Sequence, residues 1–404
     1  MLPNEKGTLI MGKLSMELYL EQLRRRYKEA KKPEKSLILE ELCSISGYHK
    51  KHAIRLLNRS RRNTKQTKVT RGRPSLYPAK DYLEPLKRIW LTTDQLCGKR
   101  LKEALPLWLP HYASAYEVLA PKISEGLLTI SSATIDRLLA QVKVRDKRGL
   151  SGTKPGKILK KHIPIKTDQW NEERPGFLEA DTVAHCGTSL EGSFAWSLTM
   201  TDINTAWTEL RAVWNKGATG VVAQIEDMEQ SLPFDILGFD CDNGSEFLNW
   251  HLMRYFSNAQ GQSRIQFTRS RPYHSDDNAH VEQKNWTHVR QLFGYERFNK
   301  EVVVELMNDL YKNEMSLMNN YFLPNTKLKE KQRIEAKIIK KHERPETPYQ
   351  RIIKSKYISD TKKEELTRVY RSLNPFELKK IIKKKLDHIF SVLHKNNGQK
   401  ICYT

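Results

Sequence analysis

The feature that most constrains the fold is a strand-rich block within residues 177–293, in a chain whose flanks have helical patterns. Three runs rich in β-branched and aromatic residues come first, at 177–186, 194–203 and 206–215. A helix (217–232), a strand (235–244), a helix (246–261), a strand (264–270) and a last helix (277–293) are then predicted. This order predicts a meander followed by crossover connections, and hence a mixed five-stranded sheet with helices on its faces.

Three carboxylates in this block occupy positions that suggest a function. Asp181 lies inside an apolar strand, Asp242 ends the fourth strand before Asn-Gly, and Glu282 lies on the last helix. A carboxylate inside a central strand is costly unless it is paired or binds a cation. Oxygen ligands without clustered Cys or His suit Mg²⁺ or Mn²⁺. Two such ions, about 3.5–4 Å apart, support in-line phosphoryl displacement. The trio therefore predicts a two-metal site.

Two strings in the same block resemble a known superfamily. DNGSEF at 242–247 and RPYHSDDNAHVEQKN at 271–285, with an Asp in the first strand, are similar to the catalytic core of DDE transposases and retroviral integrases. TPYQRII at 347–353 and SLNPFEL at 372–378 resemble the C-terminal segments of insertion-sequence transposases. The resemblance implies an RNase H-like α/β core whose two aspartates and glutamate, matched here by Asp181, Asp242 and Glu282, bind two Mg²⁺ or Mn²⁺ ions.

The chain also departs from that pattern. Thirty-nine residues separate Asp242 from Glu282, a longer spacing than in the retroviral enzymes. Many members have Lys or Arg seven residues after the glutamate, where this chain has Val289, so Arg290 or Lys284 is the candidate DNA contact on this helix. The His-His-Cys-Cys zinc module of retroviral integrases is missing, and helix-turn-helix units are expected in its place.

Other polar residues in the block leave alternatives open. Asp240 would face the same side of its strand as Asp242 and could be the ligand instead. Asp202 is expected to cap a turn rather than bind metal. His185 and Cys186 suggest zinc only weakly, because no second His/Cys pair lies at ligand spacing. Candidate DNA contacts before and on the last helix are Tyr273, His274 and Asn278.

Charge is distributed unevenly along the chain, whose formal net charge is +23. Residues 177–293 contain 8 Lys and Arg against 15 Asp and Glu, a net of −7. The flanks therefore contain 62 basic and 32 acidic residues, a net of +30. Residues 42–80 contain 11 basic residues and no acidic one. This distribution favours a polyanionic partner, and the absence of a basic amphipathic helix or lipidation signal favours DNA over a membrane surface.

The N-terminal region is predicted to bind that DNA. Ser36 is expected to cap a helix that ends at Cys43, and a turn leads to a second helix at 48–58 whose Ala53, Leu56 and Leu57 are buried. A second helix-turn-helix is expected to end with a helix capped by Ser131 and Ser132. The candidate DNA-binding residues are His49, Lys50, His52, Arg55, Arg59, Arg61, Arg62, Arg71 and Arg73.

Four regions follow from these patterns. They are an N-terminal helix-turn-helix region (1–70), a second helical region with a basic linker (71–165), the catalytic core (166–295) and a basic, mostly helical C-terminal region (296–404). With no signal-peptide pattern, no membrane span and five scattered cysteines, a cytoplasmic protein with free thiols is expected.

The function predicted is a transposase that cleaves and joins double-stranded DNA at the terminal inverted repeats of a mobile element and at a target. Action as a homodimer or homotetramer is implied by the resemblance, because two DNA ends must be brought together. Two alternatives remain. One is a nuclease of the same fold that does not join strands; the other is a domesticated, non-catalytic DNA-binding regulator, in which loss of an acidic ligand is expected.

Overall fold

The structure, a computed structural model, describes residues 13–58, 75–142, 172–241, 246–247, 249–269, 279–334 and 337–395. The chain forms two compact units, residues 1–74 and residues 75–404. The four region boundaries expected from sequence stay predictions.

Unit 1 consists of three helices, α1 (Lys13–Glu29), α2 (Lys32–Ser46) and α3 (Lys50–Leu57). Gly47 ends α2 in a left-handed conformation (φ 69°), which Gly adopts without steric cost. The three helices pack around one small core formed by Leu20, Leu23, Ile38, Leu39, Leu42, Ala53 and Leu57. The expected pair of helices is therefore present, with a third helix before it.

The expected start of α2 was wrong. The helix begins at Lys32, four residues before the expected cap Ser36. Pro33 lies in its first turn, where a missing N–H costs nothing, and the Glu34 carboxylate accepts the Lys31 backbone N–H at 2.9 Å. These two residues stabilise a helix N-terminus that lies four positions before Ser36.

Unit 2 begins with a helical layer. It contains α4 (Ala79–Thr92), α5 (Gly98–Trp108), a 3₁₀ turn (Leu109–His111), α6 (Tyr112–Ala115), α7 (Pro121–Thr129) and α8 (Ser132–Leu139). The expected cap of α8 is confirmed, since the Ser131 hydroxyl accepts the Thr134 N–H at 3.2 Å. Ile135, Leu138 and Leu139 are buried on one face of α8, as its helical spacing predicts.

The five-stranded sheet follows. Its strands are β1 (Phe177–Ala184), β2 (Ala195–Asp202), β3 (Thr208–Trp214), β4 (Gly238–Cys241) and β5 (Gln266–Arg269), in the spatial order β3-β2-β1-β4-β5. The pairs β1–β2 and β2–β3 are antiparallel, whereas β1–β4 and β4–β5 are parallel. The predicted mixed sheet is confirmed, with shorter fourth and fifth strands than the sequence pattern suggested.

Helices cover both faces of the sheet. They are α9 (Ala218–Ser231), α10 (Trp250–Tyr255), and α11 (Ala279–Lys284), which continues through a π-helical segment (Asn285–Arg290) into α12 (Gln291–Phe293). The α11 backbone bonds to Glu179 of β1, whereas Asp227 of α9 pairs with Arg211 of β3. Because Glu179 and Arg211 lie on opposite faces in the strand registers, α11 and α9 flank opposite faces of the sheet.

The C-terminal elements also cover the free edge of β3. Helix α13 (Val302–Leu310) runs on through π-helical segments Tyr311–Met315 and Met318–Phe322. The Asn308 side chain bonds both the N–H (2.6 Å) and the C=O (2.9 Å) of Ala212, and Asn320 does the same for Thr208 at 2.9 and 3.0 Å. Two asparagines thus supply the hydrogen bonds that a sixth strand would make.

The rest of the C-terminal region is not entirely helical. A two-stranded antiparallel sheet, β6 (Leu328–Ile334) and β7 (Lys337–His342), precedes α14 (Pro348–Lys354), α15 (Asp360–Ser372) and α16 (Pro375–His394). Charged residues at consecutive positions, 329–331 in β6 and 340–341 in β7, hid the strand pattern in the sequence.

One hydrophobic core joins the helical layer, the sheet and the C-terminal helices of unit 2. Trp108 of α5 is fully buried, donates its indole N–H to the Phe322 carbonyl at 3.0 Å and contacts Phe376 edge-to-face. Among the described residues, no helix is long and apolar enough to span a membrane. The four cysteines in the described ranges are free thiols.

Candidate active site

Asp181 lies near the middle of β1, paired with Thr199 of β2 and half-buried. One carboxylate oxygen, Oδ2, accepts the Asn285 side-chain N–H at 2.6 Å, and Oδ1 accepts the Thr182 backbone N–H at 2.7 Å. Hydrogen bonds to a carboxylate favour its ionised form. The central strand therefore carries a carboxylate whose two oxygens both accept hydrogen bonds. The sequence had placed Asp181 inside this strand, and its role as a metal ligand stays a prediction.

The helix that carries Glu282 is fixed directly on β1. Glu179, two residues before Asp181 and on the same face of the strand, accepts the Val281 backbone N–H at 3.1 Å, and both residues are buried. The π-helical segment then starts at Asn285, next to Asp181. Segments of this kind occur frequently at functional sites. The backbone of Glu282 thus lies between two residues that contact β1, while its side chain is outside the described part of the chain.

The third predicted ligand follows β4. Cys241, its last residue, is paired with Ala180 in the parallel register, and Asp242 lies outside the described residues. Within the described ranges, no group of three or more His, Cys, Asp or Glu side chains is placed to hold a metal ion. Since Asp242 and the side chain of Glu282 are outside the described part of the chain, the metal site stays a prediction.

Asp240, the alternative ligand, is paired with Glu179 rather than Asp181 and is almost fully buried. It accepts the Thr268 hydroxyl of β5 at 2.7 Å. Whether Asp240 or Asp242 is the ligand stays open.

A second acidic residue from the DNGSEF string lies behind the other face of β1. Glu246 is buried; it accepts the Thr182 hydroxyl at 3.0 Å and the Lys216 ammonium at 2.6 Å. A carboxylate needs such partners when it is buried. The hydrogen bond connects Glu246, which follows β4 in the chain, to Thr182, the residue after Asp181 in β1.

The two doubtful metal candidates have structural roles. Asp202 accepts the Thr205 N–H at 2.6 Å and its hydroxyl at 2.7 Å, so the expected turn cap is confirmed. His185 Nε2 and Tyr311 both bond the Ser197 hydroxyl at 2.7 Å. Burial, with a smaller effect from Arg290, lowers the pKa of His185 to about 3. His185 is therefore a neutral member of a buried hydrogen-bond chain.

The two basic candidates on the last helix differ in their surroundings. Arg290 donates to the Ala184 carbonyl at 2.9 Å, and its guanidinium lies over the Tyr295 ring at 4.8 Å. Lys284 is almost fully buried, and burial, followed by the charges of Arg100 and Arg351, lowers its pKa to about 7. Arg290 thus connects the helix to β1, whereas Lys284 lies in basic surroundings.

The N-terminal candidates lie on one exposed face where the structure describes them. His49 caps α3 by accepting the Lys51 N–H at 3.3 Å, and His49, Lys50, His52 and Arg55 are exposed. Eight candidates lie outside the described residues: Arg59, Arg61, Arg62, Arg71, Arg73, Tyr273, His274 and Asn278.

Comparison with known proteins identifies one relative over most of the chain. The uncharacterized protein y4rM of Sinorhizobium fredii is 35% identical over 343 residues, which cover 82% of this chain and 93% of y4rM. The chain belongs to the y4rM family. No protein-family model matches the sequence.

Solved structures with partial similarity to this y4rM-family chain include two of viral proteins. The catalytic core domain of BIV integrase has a TM-score of 0.25 and 14% identity, covering 36% of this chain and 83% of its own. A chain of the simian T-cell lymphotropic virus intasome in complex with PP2A regulatory subunit B56 gamma has a TM-score of 0.31 and 11% identity. That match covers 48% of this chain and 63% of the intasome chain.

Sequence patterns did not reveal the residues that support Asp181 in this y4rM-family protein. Asn285 and Glu179 were missed because neither residue type stands out in a polar helix or a strand. The spacing of Asn285, three positions after Glu282, places both on one helical side and was the one available signal.

Proposed function

We propose that this chain is a DNA transposase that binds the ends of a mobile element and catalyses metal-dependent cleavage and strand transfer through a DDE-type, RNase H-like core. The observation that carries the proposal is the 2.6 Å hydrogen bond from Asn285 to Asp181. It ties the centre of the sheet to the helix that contains Glu282. No covalent protein–DNA intermediate is required.

The helix geometry supports Glu282 as a partner of Asp181. Residues three apart on a helix are neighbours, and Asn285, three positions after Glu282, contacts the Asp181 carboxylate. Glu179 fixes the preceding turn through Val281. A helix held at both points on β1 is a rigid support for a ligand.

The strand register supports Asp242 as the third member. Ala180 and Cys241 are direct partners in the parallel pair β1–β4, and each precedes one of the two aspartates in the chain. Consecutive Cα atoms are about 3.8 Å apart, so a residue that follows Cys241 cannot be far from that strand end. The ends of parallel strands are where such sheets place their sites.

The donor atoms fit a hard cation. Carboxylate oxygens are the ligands that Mg²⁺ and Mn²⁺ prefer, and the buried Oδ1 of Asn285, beside Asp181, has no hydrogen-bond partner in the described part of the chain. Asp181, Asp242 and Glu282 would hold two ions. When bound, these supply activation of a water or a DNA 3′-hydroxyl and stabilisation of the leaving oxygen. Asn285 holds one Asp181 oxygen, so the carboxylate is oriented beforehand.

DNA binding is assigned to the basic flanks. Helices α2 and α3 of unit 1 form a helix-turn-helix whose exposed residues His49, Lys50, His52 and Arg55 would contact DNA. Synapsis of two element ends would require a dimer or tetramer of the chain on double-stranded DNA.

The first prediction concerns Asp181→Asn. The amide keeps the shape of the side chain and removes the negative charge that holds a cation. We expect DNA binding in EDTA to be unchanged. Cleavage and strand transfer with Mg²⁺ should fall by more than the roughly 10–100-fold typical of a supporting residue. The assay uses duplexes taken from the DNA on either side of the gene, where the proposal expects a terminal inverted repeat.

Asp360→Asn is the matched control, because Asp360 is an exposed carboxylate on α15. It should retain full activity. Full activity of Asp181→Asn would refute the assigned role. Cleaved but never joined products from the unmodified protein would favour the nuclease, and DNA binding without any cleavage would favour the regulator.

A further inference from the structure

Four basic side chains from four different segments come together inside unit 2. Arg100 lies on α5, Lys284 on α11, His288 on the π-helical segment and Arg351 on α14. Lys284 is 8% exposed and His288 is 6% exposed, while Arg100 and Arg351 are half-buried. We refer to these four residues as the cation cluster. Arg100 and Arg351 donate hydrogen bonds to the consecutive residues Pro324 and Asn325, and Lys284 and His288 are neighbours four positions apart on one continuous helix. The charges of Arg100 and Arg351 both reach Lys284.

The contacts of the cluster do not neutralise its charge. Arg100 donates to the Pro324 carbonyl at 2.6 Å, which is an uncharged acceptor. Arg351 donates to the Thr205 carbonyl at 3.0 Å and to Asn325, also uncharged. Among the described residues, Lys284 makes no side-chain hydrogen bond or ion pair.

Among the residues that the structure describes, two acidic residues act on the cluster, and both act on Arg351. Glu343 and Glu346 act on Arg351, and Glu346 is itself paired with Lys354. Burying like charges together without an opposite charge is costly, and the cost is removed when an anion is bound among them.

A second observation points to a ligand. The ring nitrogen Nε2 of His288 is buried, and it has no hydrogen-bond partner among the described residues. Buried polar atoms are nearly always paired with protein or with a bound molecule. This nitrogen lies beside Lys284 and Arg100, so a partner that satisfies it would also contact the cations.

We propose that the cation cluster is a binding site for a phosphate group. Phosphate oxygens match the planar donors of Arg100 and Arg351, the ammonium of Lys284 and the Nε2 of His288. The phosphate comes either from the backbone of bound DNA or from a free phosphate ion. Phosphate binding at this site requires neither metal nor catalysis.

The test is thermal unfolding of the full-length protein in EDTA, without DNA, in phosphate or in chloride of equal ionic strength. Phosphate should raise the Tm of the unmodified protein by about 3 °C when it is present at ten times its dissociation constant. Lys284→Met should abolish the phosphate increment. Arg100→Gln should also abolish the increment.

Lys383→Met is the matched control, since Lys383 is exposed on α16. It should keep both the Tm and the phosphate increment. Equal phosphate increments in the unmodified protein and in Lys284→Met would overturn the site.

A DNA-binding experiment distinguishes a phosphate of the DNA backbone from a free phosphate ion. If the phosphate belongs to DNA, Lys284→Met should weaken binding of a short duplex in EDTA, and free phosphate should compete with that duplex. If it is a free ion, duplex binding should be unchanged while the phosphate increment is still abolished. Neither experiment measures cleavage, so failure of the proposed transposase activity would not affect the result.

Discussion

At the scale of single residues, Asp181 and Asn285 are 104 positions apart and joined by one short hydrogen bond. Asn285 orients the carboxylate from a helix that is anchored on the same strand. A supporting side chain of this kind affects a metal site through the position of its ligand. Asn285 is therefore a positioning residue in the proposed reaction.

Replacement of Asn285 tests that role. Asn285→Leu has a similar size but cannot donate to Asp181, so activity should fall about 10–100-fold and the Mg²⁺ concentration for half-maximal activity should rise. Cleavage assays across a Mg²⁺ titration measure both. Thr287→Ala, which removes a hydroxyl bonded only within its own helix, should change neither. A lower rate without any change in Mg²⁺ dependence would contradict the positioning role.

At the scale of elements, β3 is the edge strand of the sheet, and two asparagines pair with its outer backbone groups. Asn308 and Asn320 bond both backbone groups of Ala212 and Thr208. Unpaired edges invite association with other chains. Helix α13 and its π-helical continuation are therefore part of the sheet's structure, and the core around the sheet does not end where the strand pattern ends.

Asn320→Leu should show this dependence. It leaves a buried N–H and a buried C=O of Thr208 unpaired, at a cost of about 1–3 kcal/mol each in free energy of unfolding. Urea unfolding of the full-length chain measures the change. The control is Asn313→Ala, because Asn313 is exposed on the same helix and bonds only to Asp309; its effect should stay within about 0.5 kcal/mol.

At the scale of the whole molecule, the chain has two units with separate cores. Unit 1 is a three-helix unit, and unit 2 combines the sheet with helices from both sides of it in the sequence. The positive charge outside residues 177–293 is shared between the two units. Division of the chain after residue 74 therefore separates the contribution of unit 1 to the proposed DNA binding from that of unit 2, which contains the proposed chemistry.

Removal of residues 1–74 should leave unit 2 folded, because its core includes no residue of unit 1. The remaining chain should bind the inverted-repeat duplex more weakly. The slope of log affinity against log salt should also be less steep, by about 0.9 for each DNA phosphate that unit 1 neutralises. Fluorescence anisotropy in EDTA, with an unrelated duplex as the control, measures both. Unchanged affinity and slope would exclude unit 1 as the DNA-binding unit.

The sequence by itself determined the mixed sheet, because strand patterns of period two and their order along the chain are local properties. It also placed Asp181 inside a strand and Glu282 on a helix. The tertiary structure alone decided that Asn285 holds Asp181, that Asn308 and Asn320 close the sheet edge, and that the cation cluster assembles. Each of these contacts joins residues far apart in the chain, so it depends on how the elements pack, which no local pattern encodes.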